Sequence, residues 1–130
     1  MDDLLKLGTS TLCEASGLQN ISFVEALRPV WRGARMAGPA WPVRCAPGDN
    51  LAIHHDLATA PEGSVLVIDG AGVSTGYWGE VLTVQAQAAK LAGMIINGCV
   101  RDIYALETRA FPVIARGISM VGTAKACAPS

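Results

Sequence analysis

The sequence predicts a domain of the α/β class with a largely parallel sheet. Short apolar runs typical of buried strands alternate with segments of helical periodicity, and glycine, proline and asparagine stand between them. The 130 residues suit one compact domain, and 51% of them are hydrophobic while only 16% are charged. Such a composition leaves few polar side chains for the surface, so we expect the protein to associate with copies of itself.

The first 45 residues predict two short helices and two strands. In the second helix, Thr9 and Ser10 can cap the start, and Gly17 can end the last turn. Prolines and glycines interrupt the segment that follows, which we therefore expect to be mostly irregular. The predicted elements are a helix at the start of the chain, a helix over 9–17, a strand over 31–36 within the irregular stretch, and a strand over 41–45.

The remainder of the chain shows the clearest alternation of strands and helices. Val65–Asp69 is a continuous aliphatic run, and the helix predicted after it has small residues on one face that permit close packing on a sheet. A turn over 47–50 caps the helix before this strand. The predicted elements are a helix over 51–58, a strand over 65–69, a helix over 79–92, a strand over 94–96, a helix over 102–108, and strands over 112–115 and 118–122.

Charge and cysteine usage exclude several classes of protein. Ten basic residues against 11 acidic ones do not suit a protein that binds the phosphates of nucleic acids. Four cysteines with no CxxC pair and no histidine at a zinc-ligand spacing indicate buried thiols in a reducing compartment. Acidic residues stand where a signal peptide carries basic ones, and no apolar run approaches the ~18 residues that span a bilayer. We therefore expect a cytoplasmic protein without a membrane partner.

A glycine-rich loop over 70–76 follows the strand 65–69 and precedes the helix 79–92. Such a loop suggests a nucleotide or S-adenosylmethionine site, because backbone N–H groups there can approach an anion. Its spacing departs from the dinucleotide fingerprint, and the next strand ends in Asn97 rather than in an acid that would hold a ribose. The backbone amides of Val81 and Leu82, at the start of the helix, remain candidates for binding a small carboxylate or oxyanion.

Arg101 and Asp102 follow a predicted buried strand, where open α/β sheets place their binding crevice. Arg101 could bind a carboxylate with two N–H groups, and Asp102 could coordinate a hard divalent cation. The same pair could instead be an exposed start of a helix, with Asp102 at the N-cap. Glu80 favours the first interpretation, because 20 residues separate it from Arg101 and the strand between them can return both to one end of the sheet.

Other polar residues are weaker candidates. Adjacent side chains on a helix point about 100° apart, so His54 and His55 cannot easily share one metal ion, and structural roles are favoured for both. Ser74 and Thr75 have no evident general base, which argues against a nucleophilic hydrolase. Cys99 is near Arg101 in the sequence, but nothing indicates a thiolate role for it.

Over nearly its whole length, the chain resembles the RraA-like family. That family includes the class II 4-hydroxy-4-methyl-2-oxoglutarate/4-carboxy-4-hydroxy-2-oxoadipate aldolases and the regulator of ribonuclease activity A. An acidic residue followed by 20 residues and then Arg-Asp distinguishes the aldolases from the regulator. The segments that carry the resemblance are Trp78-Gly79-Glu80, Arg101-Asp102, Pro47-Gly48-Asp49-Asn50, Gly93, Gly98, Gly122-Thr123 and Lys125.

The resemblance implies a divalent-metal-dependent aldolase that releases pyruvate, with oxaloacetate decarboxylation as a side activity. It implies that Asp102 holds Mg²⁺ or Mn²⁺ and that Arg101 binds the pyruvyl part of the substrate and stabilises its enolate. Glu80 would orient a metal-bound water or assist proton transfer. A divalent ion would supply the electron sink that a Schiff-base lysine supplies in other aldolases. The remaining substrate-binding residues implied are Gly79, Val81 and Leu82.

The resemblance also implies an architecture and partners. The fold would be an αββα sandwich resembling swivelling β/β/α domains, assembled as a homotrimer or homohexamer with sites between subunits and an oxo acid as the small-molecule substrate. Residues 1–130 would form a single RraA-like domain that is C-terminally incomplete, because family members usually continue past Gly122-Thr123. Asn97 stands where the family more often has an acid. The alternative within the family is a non-catalytic regulator that binds a ribonuclease or another protein.

Overall fold

The computed structural model describes residues 2–22 and 26–126 of the chain; Cys127, expected above to be a buried thiol, lies outside them. Five helices and six strands alternate over this part of the chain. None of these helices is both long and apolar enough to cross a membrane. The helices are α1 (Asp2–Lys6), α2 (Thr9–Ser16), α3 (Leu51–Leu57), α4 (Glu80–Ala88) and α5 (Ile103–Thr108), and the strands are β1 (Arg28–Pro29), β2 (Ala40–Arg44), β3 (Val65–Asp69), β4 (Gly76–Trp78), β5 (Gly93–Val100) and β6 (Val113–Ile118).

The six strands form one sheet in the order β1-β6-β5-β3-β2, with β4 paired to the end of β5. All pairs are parallel except β1 with β6. The expected α/β class and largely parallel sheet are therefore confirmed. Because parallel strands present their carboxyl ends at one edge, the segments that follow β4 and β5 emerge side by side.

One face of the sheet carries the hydrophobic core. Leu66, Met94, Ile96 and Val113 are fully buried, whereas Val67, at an alternate position of β3, is 40% exposed. This alternation is the expected period of two for a strand with one covered face. Large side chains complete the core above the sheet, where the rings of Trp78 and Phe111 stack with centroids 5.9 Å apart.

Two predicted strands are wrong. Residues 31–36 form no strand, since Gly33 adopts a left-handed φ of +90° and the Trp31 indole N–H donates to the Phe111 carbonyl at 2.8 Å. The strand predicted over 118–122 is also absent, because β6 ends at Ile118 and the chain then runs without regular pairing until Ala124 bridges to Asp49.

The glycine-rich region hides regular structure that the sequence did not reveal. Strand β4 begins at Gly76, the last residue of the predicted loop, and continues through Tyr77 and Trp78, for which no element was predicted. Strand β5 continues through Val100 instead of ending at Ile96. Gly98 is needed within β5, because a Cβ there would lie 2.9 Å from the Tyr77 ring. Helix α4 ends at Ala88, four residues earlier than predicted, and the chain leaves it through Lys90 at a φ of +58°.

Candidate functional site

The predicted functional residues lie at the junction of β4 with α4 and of β5 with α5. Trp78 and Val100 are register partners at the ends of two parallel strands. The chain therefore delivers Glu80 and Asp102 to neighbouring positions, and the Glu80 N–H donates to Asp102 Oδ2 at 3.0 Å. Asp102 stands at the N-cap position of α5 with a left-handed φ of +59°, yet its side chain caps α4. The strand between Glu80 and Arg101 thus returns both residues to one end of the sheet, as expected, and it also brings Glu80 into contact with Asp102.

Gly79 makes this close approach sterically feasible. A Cβ at this position would lie 2.5 Å from Asp102 Oδ2, a distance that real Cβ contacts essentially never show. It would also lie 3.1 Å from Arg101 Cγ, which is closer than most real Cβ contacts. The start of α4 is further fixed by the buried Thr83 hydroxyl, which donates to the Gly79 carbonyl at 2.9 Å. A side chain at residue 79 would therefore separate the two helix starts.

A cleft of about 260 Å³ opens beside this junction. It is lined by Gly79, Glu80, Val81, Leu82 and Arg101, so the structure brings together five of the six predicted site residues. The sixth, Asp102, lies at the edge of the cleft and lines an adjoining groove together with Arg101.

The first turn of α4 offers two free donors to the cleft. The N–H groups of Val81 and Leu82 make no hydrogen bond to any group in residues 2–22 and 26–126. Free N–H groups at a helix start carry partial positive charge and suit an oxyanion or a carboxylate. Nearby, the Arg101 guanidinium is half exposed, with Nε 3.8 Å from Asp102 Oδ2. This side of the cleft is therefore built for a small anion.

Arg109 pairs with a predicted site residue and was not itself predicted. Its Nε donates to Glu80 Oε2 at 3.1 Å, and both side chains are about half exposed. The Glu80 carboxylate is therefore held towards the end of α5, while its N–H binds Asp102 at the start of the same helix. Glu80 and Arg109 are 29 residues apart in the sequence and lie at the ends of different helices, so no local spacing indicated the pair.

A divalent cation is compatible with the donors present. Within the described ranges, no group of three or more His, Cys, Asp or Glu side chains could hold a metal ion. Asp102, whose side chain is 43% exposed, is the acid expected from the sequence. Mg²⁺ suits a site with one carboxylate, because it usually retains several waters and takes its other ligands from the substrate.

The cleft is also lined by polar residues that were not predicted to be functional. Asn50, His54 and Lys125 line it. Asn50 is 5% exposed, and its Nδ2 donates to the Tyr77 carbonyl at 3.0 Å. Neither Asn50 Oδ1 nor the buried His54 Nε2 has a partner in the described part of the chain. Burial, and then the charge of Lys125, lower the pKa of His54.

The two adjacent histidines diverge, as expected: His55 is exposed, while His54 lines the cleft. The expectation of a purely structural role for His54 does not account for its position there. Asn50 and His54 stand four residues apart at the start of α3 and so share one face, which was the available signal.

Three backbone N–H groups of the glycine-rich loop form hydrogen bonds with the neighbouring strands β3 and β5. The N–H groups of Gly70 and Gly72 donate to the Asn97 carbonyl, each at 3.1 Å, and that of Ala71 donates to the Asp69 carboxylate at 2.9 Å. These donors are consequently not directed at a phosphate. A strand, rather than a helix, follows the loop. Both observations weaken the nucleotide interpretation.

No cysteine within residues 2–22 and 26–126 lines the cleft. Cys45 and Cys99 are buried, Cys13 is half-buried, and all three are free thiols. Burial, together with the acids Asp49, Asp69 and Asp56, raises the pKa of the Cys45 thiol to about 11. At neutral pH Cys45 is therefore a neutral core side chain rather than a nucleophile.

Several relatives of known sequence carry the provisional name of an aldolase. One from Halalkalibacterium halodurans, provisionally named a 4-hydroxy-4-methyl-2-oxoglutarate aldolase, is 31% identical over 117 residues, which are 88% of this chain and 56% of the relative. Another with the same provisional name, from Xanthomonas campestris, is 37% identical over 97 residues, which are 71% of this chain and 58% of the relative. The chain thus spans little more than half the length of these relatives.

A solved structure shares the fold of this chain, and the sequence pattern of a known family matches most of its length. The RNA-processing inhibitor RraA from Thermus thermophilus superimposes with a TM-score of 0.84 at 24% identity, over 95% of this chain and 75% of that one. The expected RraA-like fold is thereby confirmed. The sequence pattern of the RraA-like family, described as Aldolase/RraA, matches residues 9–129. Since this match leaves out only the first eight residues and the last one, the chain belongs to the RraA-like family.

Proposed function

We propose that the protein is a divalent-metal-dependent class II pyruvate aldolase. Its substrate would be 4-hydroxy-4-methyl-2-oxoglutarate or 4-carboxy-4-hydroxy-2-oxoadipate, cleaved to pyruvate and a second oxo acid, with oxaloacetate decarboxylation as a side activity. The observation that carries the proposal is the junction where Arg101, Asp102 and the free N–H groups of α4 meet at one cleft. The provisional names of the relatives point to the same reaction.

The anion-binding side of the cleft suits the pyruvyl end of such a substrate. A 2-oxo acid presents a planar carboxylate beside a keto oxygen, and Arg101 can bind such a group with two parallel N–H bonds. The N–H groups of Val81 and Leu82 supply further donors close by. These donors gain strength when negative charge moves onto the keto oxygen as the C–C bond breaks, so they favour the enolate over the ground state.

Asp102 is the residue that would hold Mg²⁺ or Mn²⁺. Its Oδ2 is oriented by the Glu80 N–H, which fixes the carboxylate at the edge of the cleft. When bound, such an ion supplies Lewis acidity to a coordinated keto oxygen. Glu80 would act in proton transfer through water, and its pairing with Arg109 at 3.1 Å keeps the carboxylate in a defined place.

The first test is pyruvate release from 4-hydroxy-4-methyl-2-oxoglutarate and from oxaloacetate, with Mg²⁺ and with EDTA. We expect metal-dependent release that falls by at least about a hundredfold in Arg101→Ala, because transition-state charge loses its main counter-charge. Arg32→Ala is the matched control, since Arg32 is exposed and does not line the cleft. Undiminished release from the Arg101→Ala variant would overturn the assignment.

We also propose that the protein assembles as a homotrimer or homohexamer. Several large apolar side chains beside the site are strongly exposed, and patches of this kind mark contact surfaces. They are Val81 (67% exposed), Tyr104 (83%), Ile118 (65%) and Met120 (90%). Light scattering coupled to size-exclusion chromatography measures the molar mass of the assembly. A monomeric mass at micromolar concentration would contradict this proposal.

A non-catalytic regulator is the second candidate. It is favoured by the similarity to the Thermus RNA-processing inhibitor, which at 24% identity is a similarity of fold. A folded sample that releases no pyruvate but is captured with an endoribonuclease would favour this function over the aldolase.

A methyltransferase is the weakest of the three candidates. A Geobacillus kaustophilus structure named as a 2-dimethylmenaquinone methyltransferase matches with a TM-score of 0.80 at 28% identity, over 95% of this chain and 77% of that one. The glycine-rich loop in this chain, however, bonds to itself and to β5. The test is calorimetric titration with S-adenosylmethionine. The absence of a heat of binding would exclude the methyltransferase function.

A further inference from the structure

The wall of the cleft formed by Asn50, His54 and Lys125 contains two buried polar atoms that the described protein leaves without partners. They are Asn50 Oδ1 and His54 Nε2. Buried polar atoms in native proteins nearly always have hydrogen-bond partners, and an exception calls for an explanation. Here both atoms belong to residues that line the same cleft, so a ligand in the cleft can complete their bonding.

The Asn50 side chain is held in a fixed orientation. Its backbone N–H donates to the Ala124 carbonyl at 3.0 Å, and its Nδ2 donates to the Tyr77 carbonyl at 3.0 Å. With the amide nitrogen occupied in this way, the opposite oxygen is fixed as an acceptor. The contact with Ala124 also places the neighbouring Lys125 beside the same wall, where its charge acts on His54.

The chemistry of this wall defines what it can bind. Asn50 Oδ1 requires a donor, such as a hydroxyl. Lys125 contributes a positive charge suited to a carboxylate. A neutral imidazole at His54 can donate or accept through Nε2, depending on its tautomer. A carbon that bears both a hydroxyl and a carboxylate would satisfy all three groups.

We propose that Asn50, His54 and Lys125 bind the hydroxyl- and carboxylate-bearing carbon of the substrate, the half that leaves as the second oxo acid. This inference rests on the proposed aldolase function, in which Arg101 and α4 bind the pyruvyl half from the other wall. Oxaloacetate has no such hydroxyl, so the three residues select the aldol substrate over oxaloacetate.

The test compares aldol cleavage with oxaloacetate decarboxylation in the same variants. In Asn50→Ala and in Lys125→Met, we expect the ratio of kcat/KM for 4-hydroxy-4-methyl-2-oxoglutarate to kcat/KM for oxaloacetate to fall at least about tenfold. Lys125 is exposed, so its variant remains informative if the Asn50 variant fails to fold. Lys6→Met is the matched control, since Lys6 is exposed on α1 and should leave both reactions unchanged. An unchanged ratio in a folded Lys125→Met variant would overturn the inference.

A binding measurement separates this inference from the proposed function. Ligand-observed NMR with 2-hydroxyisobutyrate and with pivalate compares two anions of nearly equal size that differ in one hydroxyl. We expect tighter binding of the hydroxy acid by the unmodified protein, and loss of that preference in Asn50→Ala. If the preference is present but no pyruvate is released from either substrate, the aldolase proposal fails while the hydroxy-acid wall stands. Equal binding of the two anions would overturn the wall itself.

Discussion

The backbone N–H of Glu80 donates to Oδ2 of Asp102 at 3.0 Å, so an acid that precedes one helix caps another. This contact joins α4 and α5 across the ends of two parallel strands. It also gives Asp102 two tasks, because the carboxylate that completes α4 is the one proposed to hold a metal ion. The two tasks can be separated by substitution.

Asp102→Asn should retain stability and lose activity. The asparagine oxygen can still accept from Glu80, whereas Asp102→Ala removes the cap and should lower the free energy of unfolding by about 1 kcal/mol. Both variants should lose metal-dependent pyruvate release, because neither offers a carboxylate. Urea unfolding and the pyruvate assay measure the two effects. Metal-dependent turnover that persists in Asp102→Asn would contradict the assignment of this residue.

Gly79→Ala should damage both folding and the site. Its Cβ would lie 2.5 Å from Asp102 Oδ2, so the two helix starts must separate, at a cost of about 1–3 kcal/mol in the free energy of unfolding. Gly8→Ala is the matched control, because its Cβ would meet only Thr11 Oγ1 at 3.9 Å. Equal urea midpoints for the two variants would show that the junction tolerates a side chain.

Removal of the Arg109 side chain should affect catalysis more than stability. The pair with Glu80 is about half exposed, so solvent screening limits its contribution to stability to about 0–1 kcal/mol. We expect Arg109→Ala to lower kcat for pyruvate release about tenfold, with partial recovery in Arg109→Lys. If Glu80 acts through this pair, the double variant Glu80→Ala/Arg109→Ala should be no slower than Glu80→Ala alone. Additive losses would indicate independent roles.

Stability should fall as the pH drops below neutrality, partly because of His54. Burial and the Lys125 charge lower the pKa of His54 in the folded protein, so the unfolded chain binds more protons between that pKa and the ordinary value of 6.5. The free energy of unfolding therefore rises with pH across this window. Urea titrations at several pH values should show a shallower dependence in His54→Gln. An identical pH dependence in this variant would show that other groups are responsible.

The sequence predicts those parts of the fold that depend on local pattern. Val65–Asp69 is found with the predicted bounds because its aliphatic residues run without interruption up to Gly70. Strand β4 was missed because glycine at its start indicates a loop, and its three residues are a strand only beside β5. Likewise, Asn97-Gly98 resembles a turn until the Tyr77 ring is seen to occupy the space above it.

Some residues of the candidate site could likewise be predicted from the sequence, and others could not. The spacing of Glu80, Arg101 and Asp102 and a family resemblance predicted these three residues. Such a prediction is possible because all three follow the ends of two neighbouring parallel strands. Arg109 and His54 required the packed structure. Their contacts with the site depend on how α5 and α3 lie against α4, which no local pattern specifies.

The Tyr77 hydroxyl accepts from the Gly48 N–H at 2.7 Å and donates to the Gly70 carbonyl at 2.8 Å, while the Tyr77 carbonyl holds Asn50. One buried phenol thus connects the turn before α3 to the loop after β3. Changes in the composition or length of that loop would shift Asn50 without altering any residue of the cleft. Substrate preference in this protein can therefore diverge through a segment that never contacts the substrate.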